Sequence, residues 1–154
     1  MMRRRAFRYS PWIFHLHCGG CNGCDIELLA TLTPRYDVER LGIKLVSSPR
    51  HADILVVTGP MPKHIIPFAK RVYEQVPEPK VVVAVGSCAC SGGVFAGIDV
   101  SEKNYALVGP IDKVFPVDVY VPGCPPKPEA IIQGIAKAIQ VLSTKAVSSK
   151  SLRR

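Results

Sequence analysis

KVVVAVG, residues 80–86, is the stretch that decides the fold. After Lys80 come five apolar residues in a row, four of them valine, with none of the polar alternation of a strand that keeps one face in water. A run this short, β-rich and unbroken reads as a strand buried on both faces, as in a parallel sheet covered by helices on each side. Four other runs share the pattern: WIFHL (12–16), IKLV (43–46), DILVVTG (53–59) and VDVYVPG (117–123), each running into polar, Gly or Pro residues. Helical stretches fill the gaps at 23–32, 64–76 and 126–142. The last of these carries Ile131, Ile135, Ile139 and Leu142 along one face, with prolines at its start. Residues 96–115 show no period and are expected to form a long loop. Alternation of strand and helix predicts a flavodoxin-like, doubly wound α/β domain with a mainly parallel sheet and helices on both faces.

With 154 residues, 47% of them hydrophobic and 21% charged, the chain suits one globular domain. No run approaches the roughly 20 apolar residues of a membrane span. The N-terminus is basic but lacks the apolar core of a signal peptide. A cytoplasmic setting is expected, and there six cysteines point to metal or redox chemistry and away from structural disulfides. The net charge of +8 sits wholly on two ends, residues 1–9 and 144–154, which carry eight basic and no acidic residues. The expected division is a basic tail (1–9), an α/β domain that carries the cysteines (10–143) and a second basic tail (144–154). The tails read either as solvated ends or as docking segments for an acidic partner or anionic lipid. No basic stripe interleaved with aromatics runs through the middle, so nucleic acid is not expected as a partner.

Ligands of a doubly wound sheet bind beyond the carboxyl ends of its strands, and the cysteines follow that rule. Cys21 and Cys24 come after the first run, Cys88 and Cys90 after VVVAVG, and Cys124 after VDVYVPG. TGP (58–60) ends another strand at the same edge and is a candidate wall. The loops CGGCNGC, VGSCACSGG and VPGCPP are rich in glycine, which lets backbone N–H groups approach a negatively charged thiolate centre. A cluster fits this better than zinc, which favours two compact C-x2-C knuckles, although a cysteine-bound structural zinc module stays open. Spacing alone does not choose four ligands from six cysteines.

CNGCDIE (21–27), GSCACSGG (86–93) and VPGCPPKPEAI (122–132) closely resemble the small-subunit family shared by [NiFe] hydrogenases and the cluster-bearing subunit of respiratory complex I. SPWIFHLHCGGCNGCDIE, LTPRYDVERLG and SPRHADILVVTGP are most similar to the membrane-bound, energy-converting hydrogenase branch and its sulfur-reducing relatives. The resemblance covers roughly residues 10–143. It implies one [4Fe–4S] cluster on Cys21, Cys24, Cys88 and Cys124, with Cys18 and Cys90 as bystanders. It also implies a relay that takes electrons from a ferredoxin-like two-cluster subunit and passes them to a hydrogenase-like large subunit. Integral membrane subunits would anchor the complex, with this chain peripheral on the cytoplasmic side of the cell membrane. The terminal reaction is then H2 evolution coupled to ion translocation or, in a nickel-free relative, reduction of polysulfide or quinone. Glu27 matches a family acid for which a proton-relay role is implied. It is equally an acid in the first turns of a helix, where the dipole favours it. His15 and His17 are expected on opposite faces of their strand, so that at most one would reach the cysteines, and as structural polar residues.

Overall fold

The computed structural model describes residues 10–95 and 107–151. Its strands are β1 (Trp12–His17), β2 (Lys44–Leu45), β3 (Ile54–Thr58), β4 (Met61–Pro62), β5 (Val81–Val85), β6 (Leu107–Gly109) and β7 (Val119–Val121). Its helices are α1 (Gly23–Ala30), α2 (Ile66–Gln75), α3 (Ser87–Ser91) and α4 (Pro128–Ser151). Every residue of β3 and of β5 is buried, as their unbroken apolar runs require.

Five strands form one sheet in the order β2-β1-β3-β5-β7, all neighbours parallel. This is the flavodoxin-like order, and it reverses direction between β1 and β3. Alternate residues of each strand supply two cores. Ile13, Ile54, Val56, Val83 and Val121 face one side, where they meet Leu28 of α1 and Ile131, Ile135, Ala138 and Leu142 of α4. Leu16, Leu55, Val57, Val82 and Ala84 face the other, against Ala69 and Val72 of α2 and Ala89 of α3. The buried isoleucines of α4 are fully out of water, and each stabilises the packing by about 1.5–3 kcal/mol. At the amino ends of the strands, Lys80 closes α2. Its ammonium donates to the carbonyls of Tyr73 (2.9 Å) and Val76 (3.3 Å) and lies 3.9 Å from the Tyr73 ring centroid.

Three differences from the sequence expectation stand out. The expected long loop at 96–115 contains β6, which pairs antiparallel with β4, and a 3-10 turn at Ile111–Lys113; positions 96–106 lie outside the described residues. Strands of two or three residues carry no readable period. The last helix continues to Ser151, beyond the apolar face that stops at Leu142. Lys145 holds this extension by pairing with Asp118 at 2.7 Å and donating to the Lys80 carbonyl at 3.1 Å. Finally, α3 forms directly after β5, where only a loop was expected.

The strands end flush. His17 is paired with Thr58, Thr58 with Val85 and Val85 with Val121, a single row across the sheet. Whatever follows those four residues is delivered to the same edge.

Candidate metal centre

Beyond that row, the loops after β1, β3, β5 and β7 enclose a cavity of about 80 Å³. Its walls include Cys21 from the loop before α1, Cys24 from the first turn of α1, Cys88 from α3 and Cys124 from the loop after β7. Thr58 and Gly59 also line it, so TGP does form a wall, as the sequence suggested. Cys18 and Cys90 do not line it. Cys18 is fully buried in the core beneath, and burial pushes its thiol up to about 12. Cys90 packs against the same core and donates its S–H to the Ala84 carbonyl at 3.4 Å.

Backbone bonds stitch these loops in pairs. Cys18 N–H donates to the Thr58 carbonyl at 2.9 Å, and Ser87 N–H to the Gly123 carbonyl at 2.7 Å. Two glycines permit the close approach. Gly86 has φ 91°, and a Cβ there would collide with the Cys24 sulfur. Gly59 has φ 83°, and its Cβ would lie 2.9 Å from Gly20 N, so the loops after β1 and β3 touch through bare backbone.

Two of the four thiols, Cys24 and Cys88, are raised by burial and by their neighbours. Burial, then the charge of Asp25, then those of Cys88, Cys21 and Cys124 raise the Cys24 thiol to about 11. Burial, Cys124 and Cys21 raise Cys88. Thiols that repel each other's ionised forms stay protonated until a cation compensates them; bound metal removes the protons outright. Among the described residues, no three His, Cys, Asp or Glu side chains are gathered tightly enough to hold a single metal ion. The thiols stand round a hollow.

Both histidines of β1 reach this site, which corrects the expectation of opposite faces. Residues two apart on a strand share a face, and His15 and His17 both meet Asp25. His15 Nε2 lies 2.9 Å from Asp25 Oδ1, His17 Nδ1 2.8 Å from Oδ2, and the Thr58 hydroxyl donates to Oδ1 at 2.5 Å. Gly20 N–H donates to His17 Nε2 at 3.1 Å, which leaves the His17 proton on Nδ1, directed at Asp25. Burial lowers the His15 pKa and outweighs the opposing pull of Asp25, so this ring is neutral at pH 7. Sequence reading missed Asp25, whose only signal was its place between Cys24 and the apolar face of α1. Glu27 is half-buried on α1 but is not part of the cavity wall. Its charge contributes instead to raising the Tyr36 pKa.

Known proteins are similar to this chain in sequence and in fold. The chain is 54% identical to the probable membrane-bound hydrogenase subunit mbhJ of Pyrococcus furiosus, over 87% of its own length and 77% of that protein's. It is 45% identical to formate hydrogenlyase subunit 7 of Escherichia coli over 92% of its length, and spans 53% of that protein. Among solved structures, a chain of the membrane-bound sulfane sulfur reductase, an archaeal respiratory membrane complex, superposes with a TM-score of 0.76 at 36% identity. That match covers 93% of this chain and 76% of the other. These relatives are subunits of oxidoreductase complexes, and the Pyrococcus furiosus protein and the sulfane sulfur reductase are described as membrane-bound, while no helix among the described residues here is long and apolar enough to cross a membrane. The sequence pattern of the NADH ubiquinone oxidoreductase 20 Kd subunit runs from Cys21 to residue 138, taking in all four cavity thiols and most of the sheet, and the chain belongs to that family.

Proposed function

We propose that this chain is the electron-relay subunit of a membrane-bound respiratory complex, holding one [4Fe–4S] cluster on Cys21, Cys24, Cys88 and Cys124. Electrons arrive from a ferredoxin-like two-cluster subunit and leave for a hydrogenase-like large subunit that evolves H2, coupled to ion translocation. The chain sits peripherally on the cytoplasmic side of the membrane. One observation carries the reading: these four thiols, and neither Cys18 nor Cys90, line the cavity at the strand ends.

The donor set fits the group. A four-iron cluster takes one thiolate on each iron, whereas zinc draws four donors onto one ion at about 2.3 Å. Four thiols line one cavity at the strand ends, which supplies the cluster's donor number. The absence of a side chain at Gly86 leaves the Cys24 sulfur its place in the wall. When bound, such a cluster supplies one-electron transfer. The chain's own residues hold the sulfurs, stiffen the loops through the Ser87–Gly123 and Cys18–Thr58 bonds, and keep the site at one edge of a rigid sheet. Ile26 and Leu29 on α1 are 63% and 52% exposed, and Val94 after α3 is 79% exposed, which suits burial against a partner subunit. Glu27, three residues after Cys24, is proposed as a proton-relay acid on the family resemblance.

Iron and acid-labile sulfide analysis of the anaerobically purified complex tests the reading. About four of each per chain is expected; stoichiometric zinc instead would overturn it. The likeness to the sulfane sulfur reductase supports a second reading, the same relay feeding a nickel-free large subunit that reduces sulfur compounds or quinone. Cysteine pairs able to bind nickel in the partner's sequence distinguish the two.

A further inference from the structure

We propose that Asp25 is a positioning residue for this centre. Its carboxylate fixes both loop segments that carry Cys21 and Cys24, and its negative charge beside them makes the centre harder to reduce. The inference rests on the cluster reading above.

The geometry is specific. The Asp25 side chain is only 14% exposed, lines the cavity and follows Cys24 directly. Three donors from two strands converge on it: His15 and Thr58 on Oδ1, His17 on Oδ2. Through His17 the same carboxylate controls the backbone just before Cys21, because the other ring nitrogen accepts Gly20 N–H. One carboxylate thus pins the residue before the first thiol and the residue after the second.

A role in folding alone accounts poorly for this. β1 and β3 are already joined by five residue pairs and by the Cys18–Thr58 bond beyond them. Withdrawing a carboxylate from water is costly, and well-packed apolar residues often hold strand ends as well or better. Iron–sulfur potentials depend on net charge and on hydrogen bonding around the sulfurs. A carboxylate in the cavity wall acts on the first directly and on the second by holding the loops. Glu27, the other acid of the same helix, lies outside the wall and cannot substitute for it.

The test uses the assembled complex, purified anaerobically as wild type, Asp25→Asn, His17→Asn and His17→Gln. Each is analysed for iron and sulfide, by electron paramagnetic resonance of the reduced cluster, and by redox titration. Asp25→Asn is expected to keep its iron and sulfide, raise the midpoint potential and shift the resonance. His17→Asn keeps a donor toward Asp25 but drops the acceptor for Gly20 N–H, and is expected to shift the resonance too. His17→Gln places an oxygen near the lost Nε2 but has no donor at the Nδ1 position, so Asp25 no longer holds the acceptor of Gly20 N–H and the resonance is expected to shift as well. A wild-type potential and spectrum in Asp25→Asn with full iron content overturns the inference and leaves the cluster reading standing. Should Asp25→Asn purify without iron, the His17 pair decides: a wild-type spectrum in either variant overturns the inference, and a shift in both supports it. Wild-type protein without iron and sulfide removes the cluster reading and this inference with it.

Discussion

Gly86 stands so close to the sulfur of Cys24 that no side-chain carbon fits between them. The contact joins the loop after β5 to the first turn of α1, two segments more than sixty residues apart in sequence. Gly86→Ala therefore meets two obstacles, a φ of 91° and the Cys24 sulfur. The backbone strain alone costs about 1–3 kcal/mol. The variant is expected to lower the thermal unfolding midpoint and the iron content together; unchanged values of both would contradict the packing described.

The six cysteines are expected to separate into two groups. Cys21→Ser, Cys24→Ser, Cys88→Ser and Cys124→Ser each lose or alter the cluster, because each removes a thiol from the cavity wall. Cys18→Ser and Cys90→Ser leave its redox spectrum intact. Loss of the signal in Cys18→Ser, with retention in Cys21→Ser, would place the cluster on a different set of thiols.

Cys18 should also be chemically silent. With its thiol fully buried and raised to about 12, the reactive thiolate is scarce at pH 8 and out of reach. Iodoacetamide followed by peptide mass spectrometry is expected to leave Cys18 unmodified in the native complex and to label it in guanidinium. Rapid native labelling would place that side chain elsewhere.

Lys80→Met keeps the aliphatic stem and removes the ammonium that holds the carbonyls of Tyr73 and Val76. Leaving these acceptors without that donor is expected to cost about 1–3 kcal/mol. Chemical denaturation measures it, and a neutral result would mean that water takes over the helix end.

Asp53 supplies a pH dependence remote from the thiols. Its carboxylate accepts Trp12 N–H at 3.0 Å, yet burial raises its pKa above the ordinary 3.8. A raised folded-state value means that the folded domain binds the proton more readily than the unfolded chain. Its stabilising contribution is full below pH 3.8 and is lost as pH rises through the raised value. Asp53→Asn keeps an acceptor for Trp12 and removes that loss. It is expected to be at least as stable as wild type at pH 7, with the advantage shrinking toward pH 4. Urea unfolding at both pH values checks the sign.

The sheet was legible because β3 and β5 are too apolar for any wet face, and the site because thiols and glycines follow the strand ends. Choosing four cysteines needed the family resemblance, since spacing alone treats Cys18 like Cys21. The partnership of β4 with β6 was hidden, because it rests on backbone pairing of two or three residues. Asp25 was hidden for a different reason: an acid in a first helical turn already has an ordinary explanation in the dipole. Only the folded chain shows that it collects His15, His17 and Thr58.

The flush row at His17, Thr58, Val85 and Val121 has a consequence for biosynthesis. Cys21 and Cys24 leave the ribosome early, but Cys124 takes its position only once β7 has zipped onto β5. A half-made chain can present two or three of these thiols but never the closed ring. On the proposed ligand set, a metal-loading step that requires all four sulfurs would begin only after the topology is finished.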